Sequence, residues 1–130
     1  MAIQIYSTAL FVGELAEEFG ELAWITDDGG RVVGKVEIDW GDENQDDHVA
    51  LVSRNDKLIA TIVLDRYISN AGQVIRRDKK VGEIRLISPG NCSVYRGSKL
   101  IGNIKTNGKD VSDKHLILFG GGGAVLLLGL

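Results

Sequence analysis

The chain has one cysteine, one proline and two histidines, and its aromatic content is 6%. Cys92 has no partner for an internal disulfide, which suits a reducing compartment and a cytoplasmic location. Cys92, His48 and His115 fall at no standard ligand spacing, so no metal and no cofactor is expected. Few aromatics and a pI near 5.3 argue against a nucleic-acid partner, which would need a basic face with stacking rings or a readout helix. The chemistry of an enzyme is missing too. There is no G-x-S-x-G elbow, no cysteine beside a candidate base and no carboxylate pair that spacing alone places in a cleft. The tetraglycine near the C-terminus lacks the Lys-Ser/Thr that follows it in a phosphate-binding loop.

Long hydrophobic runs are also lacking. The segment from Leu116 to Leu130, ending in "GGGGAVLLLGL", is uncharged, but it falls short of the ~20 residues that cross a bilayer as a helix. Each of its four consecutive glycines costs about 1 kcal/mol against helix formation relative to alanine. The opening "MAIQIYSTALFVG" places no Lys or Arg before its apolar residues and breaks them with Gln4, Ser7 and Thr8, unlike a secretory signal. No membrane partner is therefore expected, and the tail is expected to form strands of one soluble domain, residues 1–130.

What is abundant is glycine, 17 residues, and it recurs in a pattern. Val12-Gly13-Glu14-Leu15, Val33-Gly34-Lys35-Val36, Ile59-Ala60-Thr61-Ile62, Val81-Gly82-Glu83-Ile84 and Ile101-Gly102-Asn103-Ile104 share the form [VI]-[GA]-x-[LIV]. The anchors at 13, 34, 60, 82 and 102 are 21, 26, 22 and 20 residues apart, a period that marks stacked or radially arranged supersecondary units. Each copy follows an apolar stretch and a short polar segment: "STAL", "DDGG", "RNDK", "RRDKK" and "RGSK". Gly, Asn and Asp there supply the positive φ that tight hairpin loops require. After each copy apolar and polar residues alternate, the period of a strand with one buried face. The fold expected is all-β: five or six β-hairpins arranged radially around a pseudo-symmetry axis.

Glycine inside a strand weakens it, so the anchors Gly13, Gly34, Ala60, Gly82 and Gly102 need a cause. Crowding is the simplest, with room for only a hydrogen or methyl at one point per hairpin. A β-bulge at each anchor is the alternative.

"VYRGSKLIGNI" and "VIRRDKKVGEI" carry a resemblance to the bacterial five-fold β-flower family, as does the Gly-rich, Leu-rich ending. The resemblance implies a hairpin-repeat fold and no known function. The sequence departs from the pattern at Ala60 and in the longer segment before the third copy. Within the radial arrangement, "HLILF" and "AVLLLGL" are expected as two strands joined by the tetraglycine, with the C-terminal strand closing the ring.

Formal charge is −3 but divided: residues 1–50 hold 12 Asp/Glu against 2 Lys/Arg, and residues 51–130 hold 6 against 13. The acidic run contains Asp42, Glu43, Asp46 and Asp47. Its Asp42, Asn44 and Asp46 begin like a calcium loop, but Asp47 replaces the required Gly and Ser53 the bidentate Glu. Arg76, Arg77, Lys79 and Lys80 crowd one hairpin tip. These eight residues are the candidate contacts for a protein partner or for a second copy of the chain. The function expected is a small structural or interaction module presenting charged tips. The alternative is a domain for a small polar ligand or glycan, with Trp40 or Tyr95 as the stacking surface and Trp24 packed inside.

Overall fold

Alternating residues build ten strands in the computed structural model, which describes residues 2–19, 21–39, 49–65, 67–106 and 112–130. They are β1 (Ala2–Ser7), β2 (Leu10–Phe19), β3 (Leu22–Asp27), β4 (Val32–Asp39), β5 (Val49–Arg54), β6 (Lys57–Leu64), β7 (Ala71–Arg76), β8 (Lys79–Ser88), β9 (Asn91–Arg96) and β10 (Lys99–Thr106). Among the described residues a single helix, α1 (Asp113–Leu128), follows. Each strand pairs antiparallel with its neighbours in sequence, and β1 pairs with β10, so the sheet is a closed barrel of five consecutive hairpins with no free edge.

The expected C-terminal strand is not formed. Residues of both "HLILF" and "AVLLLGL", together with the tetraglycine between them, form α1, which runs through the barrel and touches all ten strands. The barrel closes without the tail, through β1 and β10. The physical reason lies in the backbone. A chain threading an apolar barrel meets no water and no strand edge, and only a helix pairs its own N–H and C=O groups there. That gain outweighs the weak helix propensity of the glycines. Ser112 caps the helix by accepting from the His115 N–H at 3.2 Å, so His115 sits in the first helical turn. Gly129, at φ 71°, ends the helix in the left-handed conformation that glycine favours.

The repeat is a repeat of register. Within each hairpin the anchor pairs with the inward residue of the preceding strand: Ile5↔Gly13, Ile25↔Gly34, Val52↔Ala60, Val74↔Gly82 and Val94↔Gly102. The pairing then slips, leaving Val12, Val33, Ile59, Val81 or Ile101 as the extra residue of a bulge. Between hairpins the residue after each anchor pairs in one register as well: Glu14↔Thr26, Lys35↔Ser53, Thr61↔Ile75, Glu83↔Tyr95 and Asn103↔Tyr6. Bulge and crowding are thus both present. The branched residue of the [VI]-[GA] pair is the bulge, and the small one is the crowded position.

Barrel wall and helix alternate in bulk. At the anchor level the wall is Gly or Ala and the helix supplies Leu126, Leu127 and Leu128, which the missing Cβ atoms of Gly13, Gly102 and Gly82 would meet. One level along, the wall presents Leu15, Val36, Ile62, Ile84 and Ile104, all fully buried, and the helix presents its glycines. Further along, the wall is small at four of its five equivalent positions, Ala23, Ala50, Gly72 and Cys92, with Ile3 at the fifth, and Leu116 to Phe119 fill the space. Large against small at each level is how a narrow barrel reaches close packing around a helix.

The anchors differ in what crowds them. A Cβ on Gly102 would meet the Tyr6 carbonyl oxygen as well as Leu127, whereas on Gly82 it meets chiefly the tip of Leu128, at 2.7 Å, with Tyr95 O at 3.3 Å. Backbone cannot yield as a leucine methyl can. Chemical denaturation should therefore rank Gly82→Ala as mild and Gly102→Ala as costly, with Gly102→Val losing about 1–3 kcal/mol. Wild-type stability in Gly102→Val would remove the crowding account.

Candidate functional site at the hairpin-tip end

The five tight hairpin turns gather at the end where α1 terminates, because Leu126, Leu127 and Leu128 lie at the anchor level just beneath them. The third and fourth tips are two-residue turns with both residues at positive φ: Asn55 (52°) with Asp56 (62°), and Arg77 (52°) with Asp78 (63°). This is the type I′ geometry whose twist matches the flanking strands. Asn and Asp suit it. Arg77 does not, and a long side chain is held there in a conformation that costs energy. The fifth tip solves the same problem with Gly97, at φ 61° and with open space around it.

Three tips share an Arg-x-x-Lys pattern, and the strand register sets the two cations opposite each other: Arg54↔Lys57, Arg76↔Lys79 and Arg96↔Lys99. Two of the arginines turn inward to a structural task. Arg54 donates through Nη2 to the Leu130 carbonyl at 2.9 Å and through Nε to the Val33 carbonyl at 3.0 Å, and Arg96 donates through Nη2 to the Leu128 carbonyl at 2.7 Å. They satisfy carbonyls left open at the helix end and place positive charge at its negative pole. At the opposite end Asp65 lines a small cleft beside the first helical turn with Asp113 and Lys114. There the Asp65 carboxylate accepts from the Ile68 and Tyr67 N–H groups and from the Gln73 amide, in that order of effect, and these bonds hold its carboxyl below the usual range. The cations at the helix C-terminus and Asp113 in its first turn both favour the helix dipole, while Asp56 and Asp78 place negative charge among the cations of the tips.

Of the candidate contacts, Arg76, Arg77, Lys79 and Lys80 meet on the fourth tip, with Arg76 half-buried and the other three exposed. Lys80 is partly engaged, 3.5 Å from Glu83, whose other oxygen accepts from Arg85 at 2.9 Å. Asp42, Glu43, Asp46 and Asp47, like Trp40 and His48, lie outside the described residues. Of the anchors, Gly13, Gly82 and Gly102 meet the helix leucines, while Gly34 and Ala60 border clefts between hairpins. Exposed apolar residues join the cations at the tips: Leu10, Val32, Leu58 and Leu100. Arg31-Val32, Lys57-Leu58 and Lys99-Leu100 set a cation beside an apolar side chain at the start of three outgoing strands.

Clefts open where neighbouring hairpins part toward their tips. One, of about 640 Å³, lies between the second and third hairpins and is lined by Trp24, Lys35, Ser53, Asn55, Asp56 and Leu126 among others. Another, of about 480 Å³, lies between the third and fourth and includes Lys57, Arg76 and Arg77. Trp24 is thus on the outer wall, 36% exposed, and not packed inside as its size suggested. Tyr95 is covered by the Arg85 guanidinium, 5.6 Å from the ring centre. Sequence reasoning missed the Trp24 cleft and the clamping role of Arg54 and Arg96. The signal for the clamp was present, since Arg-x-x-Lys recurs at tips that all face the helix end.

Cys92 is buried on the inner wall, and desolvation pushes its thiol up to about 12, far from the thiolate that nucleophilic chemistry needs. Among the described residues no group of three His, Cys, Asp or Glu is placed to hold a metal ion. No helix among them is long and apolar enough to cross a membrane. Comparison with protein-family models, curated proteins and solved structures finds no match to this chain.

Proposed function

We propose that the chain is a non-catalytic interaction module, five hairpins set radially about a pseudo-symmetry axis along α1, whose tip end docks on an acidic protein surface. A second copy of the chain, whose residues 1–50 carry 12 Asp/Glu against 2 Lys/Arg, is one such partner. The observation that supports this reading is the recurrence of exposed cations beside apolar residues on tips that share one end of the barrel. Cations steer the encounter, and Val32, Leu58 and Leu100 add the apolar contact that gives an interface its lifetime. The chain's net charge is negative, so attraction depends on the local field of that end and falls off over a Debye length of about 8 Å at physiological salt.

Sedimentation at low and high salt, with binding to immobilised polyglutamate measured alongside, tests the reading. Low salt should give mass above the monomer or binding to polyglutamate, and 0.5 M salt, where the screening length is only a few Å, should abolish either. The triple variant Lys57→Glu, Lys79→Glu, Lys99→Glu should stay folded by circular dichroism and lose the interaction. A monomer at both salts that also ignores polyglutamate would refute it.

A further inference from the structure

The cleft between the second and third hairpins has a lining that the tip charges do not explain. β4 and β5 pair from Lys35↔Ser53 toward the opposite end. Residues 32–34 and 54–56 consequently stand apart and wall the space of about 640 Å³, within the size usual for small-molecule sites, about 300–1,000 Å³. Trp24, Lys35 and Ser53 follow one another across three adjacent strands, through the pairs Trp24↔Lys35 and Lys35↔Ser53. An indole that lines a concave surface in contact with solvent forfeits burial it would gain inside the barrel. Val32 and Leu126 add apolar lining, and Asn55 and Asp56 line the cleft from the two-residue turn of the third hairpin.

Charge decides what fits. Lys35 is tied to Glu37 at 2.7 Å, and that bond and charge raise its pKa. Arg54 spends two of its nitrogens on the Val33 and Leu130 carbonyls. Asp56 adds a negative charge at the rim. Two cations, both engaged, against the carboxylates of Glu37 and Asp56 leave a site with no net attraction for an anion. An aromatic face flanked by a hydroxyl, an amide and a carboxylate instead matches the two sides of a sugar ring, apolar C–H groups on one and hydroxyls around the edge. We infer that this cleft binds a neutral saccharide, with the ring on Trp24 and the hydroxyls reaching Ser53, Asn55 and Asp56.

The chain has two tryptophans, so a Trp40→Phe background leaves Trp24 as the sole indole reporter. Its fluorescence and its indole N–H resonance are followed while glucose, galactose, N-acetylglucosamine, maltose or cellobiose is added, with adenosine monophosphate and inorganic phosphate as anionic arms. At least one saccharide should give a saturable change with Kd on the order of 1 mM. Binding of that sugar, followed by calorimetry, should weaken about tenfold in Trp24→Ala, the scale of one lost stacking contact, and largely survive in Trp24→Phe. The lysine-to-glutamate triple variant should bind it unchanged, which separates this site from docking at the tips. No saturable response to any of the five sugars by folded protein, undiminished binding in Trp24→Ala, or tighter binding of adenosine monophosphate would each overturn the inference.

Discussion

Deleting residues 112–130 should leave a chain that cannot hold its barrel. The helix contributes six large apolar side chains that are buried, Leu116, Ile117, Leu118, Phe119, Val125 and Leu128. At about 1.5–3 kcal/mol each, they are worth about 9–18 kcal/mol, comparable with the whole stability of an ordinary domain, about 5–15 kcal/mol. The loss is larger than that sum, because Leu15, Val36, Ile62, Ile84 and Ile104 would then face an empty lumen. Water does not stabilise such a cavity, and a ring of ten strands is too wide for its small wall residues to meet across the centre. The truncated chain is expected to lose near-ultraviolet circular dichroism, bind a hydrophobic dye and melt without cooperativity. A cooperative melt within a few degrees of the full chain would mean that the helix is an accessory and the wall self-sufficient.

The hairpins were legible because their signals are local. A turn that needs positive φ selects Asn, Asp or Gly within a few residues of the strands it joins, as at Asn55-Asp56 and Gly97. The anchors were legible too, since one geometric demand imposed five times leaves five similar tetrapeptides. What crowds them was hidden, because Leu126 and Gly13 meet only after the chain has travelled around the whole barrel. The tail misled for a related reason. Propensity judges a residue against water, and in water four glycines argue against a helix. Inside the barrel the competing state is a strand with unpaired backbone, and the ranking reverses. Periodicity gave no help, because a helix surrounded by wall is apolar on every side and shows no stripe. The candidate site was legible only as charge. Arg76, Arg77, Lys79 and Lys80 could be placed on a tip from sequence, whereas the Trp24 cleft depends on the register Lys35↔Ser53, which brings the second and third hairpins together.

The tetraglycine makes the sharpest demand on the helix. At about 100° per residue, four consecutive positions face every direction, and the wall meets each one: Ile84 and Ile104 at Gly120, Ile62 at Gly121, Val36 at Gly122, Leu15 and Ile5 at Gly123. Alanine at any of them would make an isolated helix more stable by about 1 kcal/mol, yet it should make this protein less stable. Gly122 is the clearest case, because an added Cβ would meet both methyl groups and the Cβ of Val36, a stiff β-branched side chain on a strand. Overpacking of this kind costs about 1–3 kcal/mol, and Gly122→Leu should exceed that range and approach unfolding. The cause can be isolated by removing the obstacle. Val36→Ala alone opens a cavity and should cost about 1–3 kcal/mol. Combined with Gly122→Ala, it clears the methyls that clash while the new Cβ fills the space they leave. The double variant should therefore be more stable than the sum of the single losses by about 1 kcal/mol or more, a coupling well above the scatter expected for independent sites. Additive losses, read from urea denaturation of the four proteins in the cycle, would show that the glycines are not required by the wall at all.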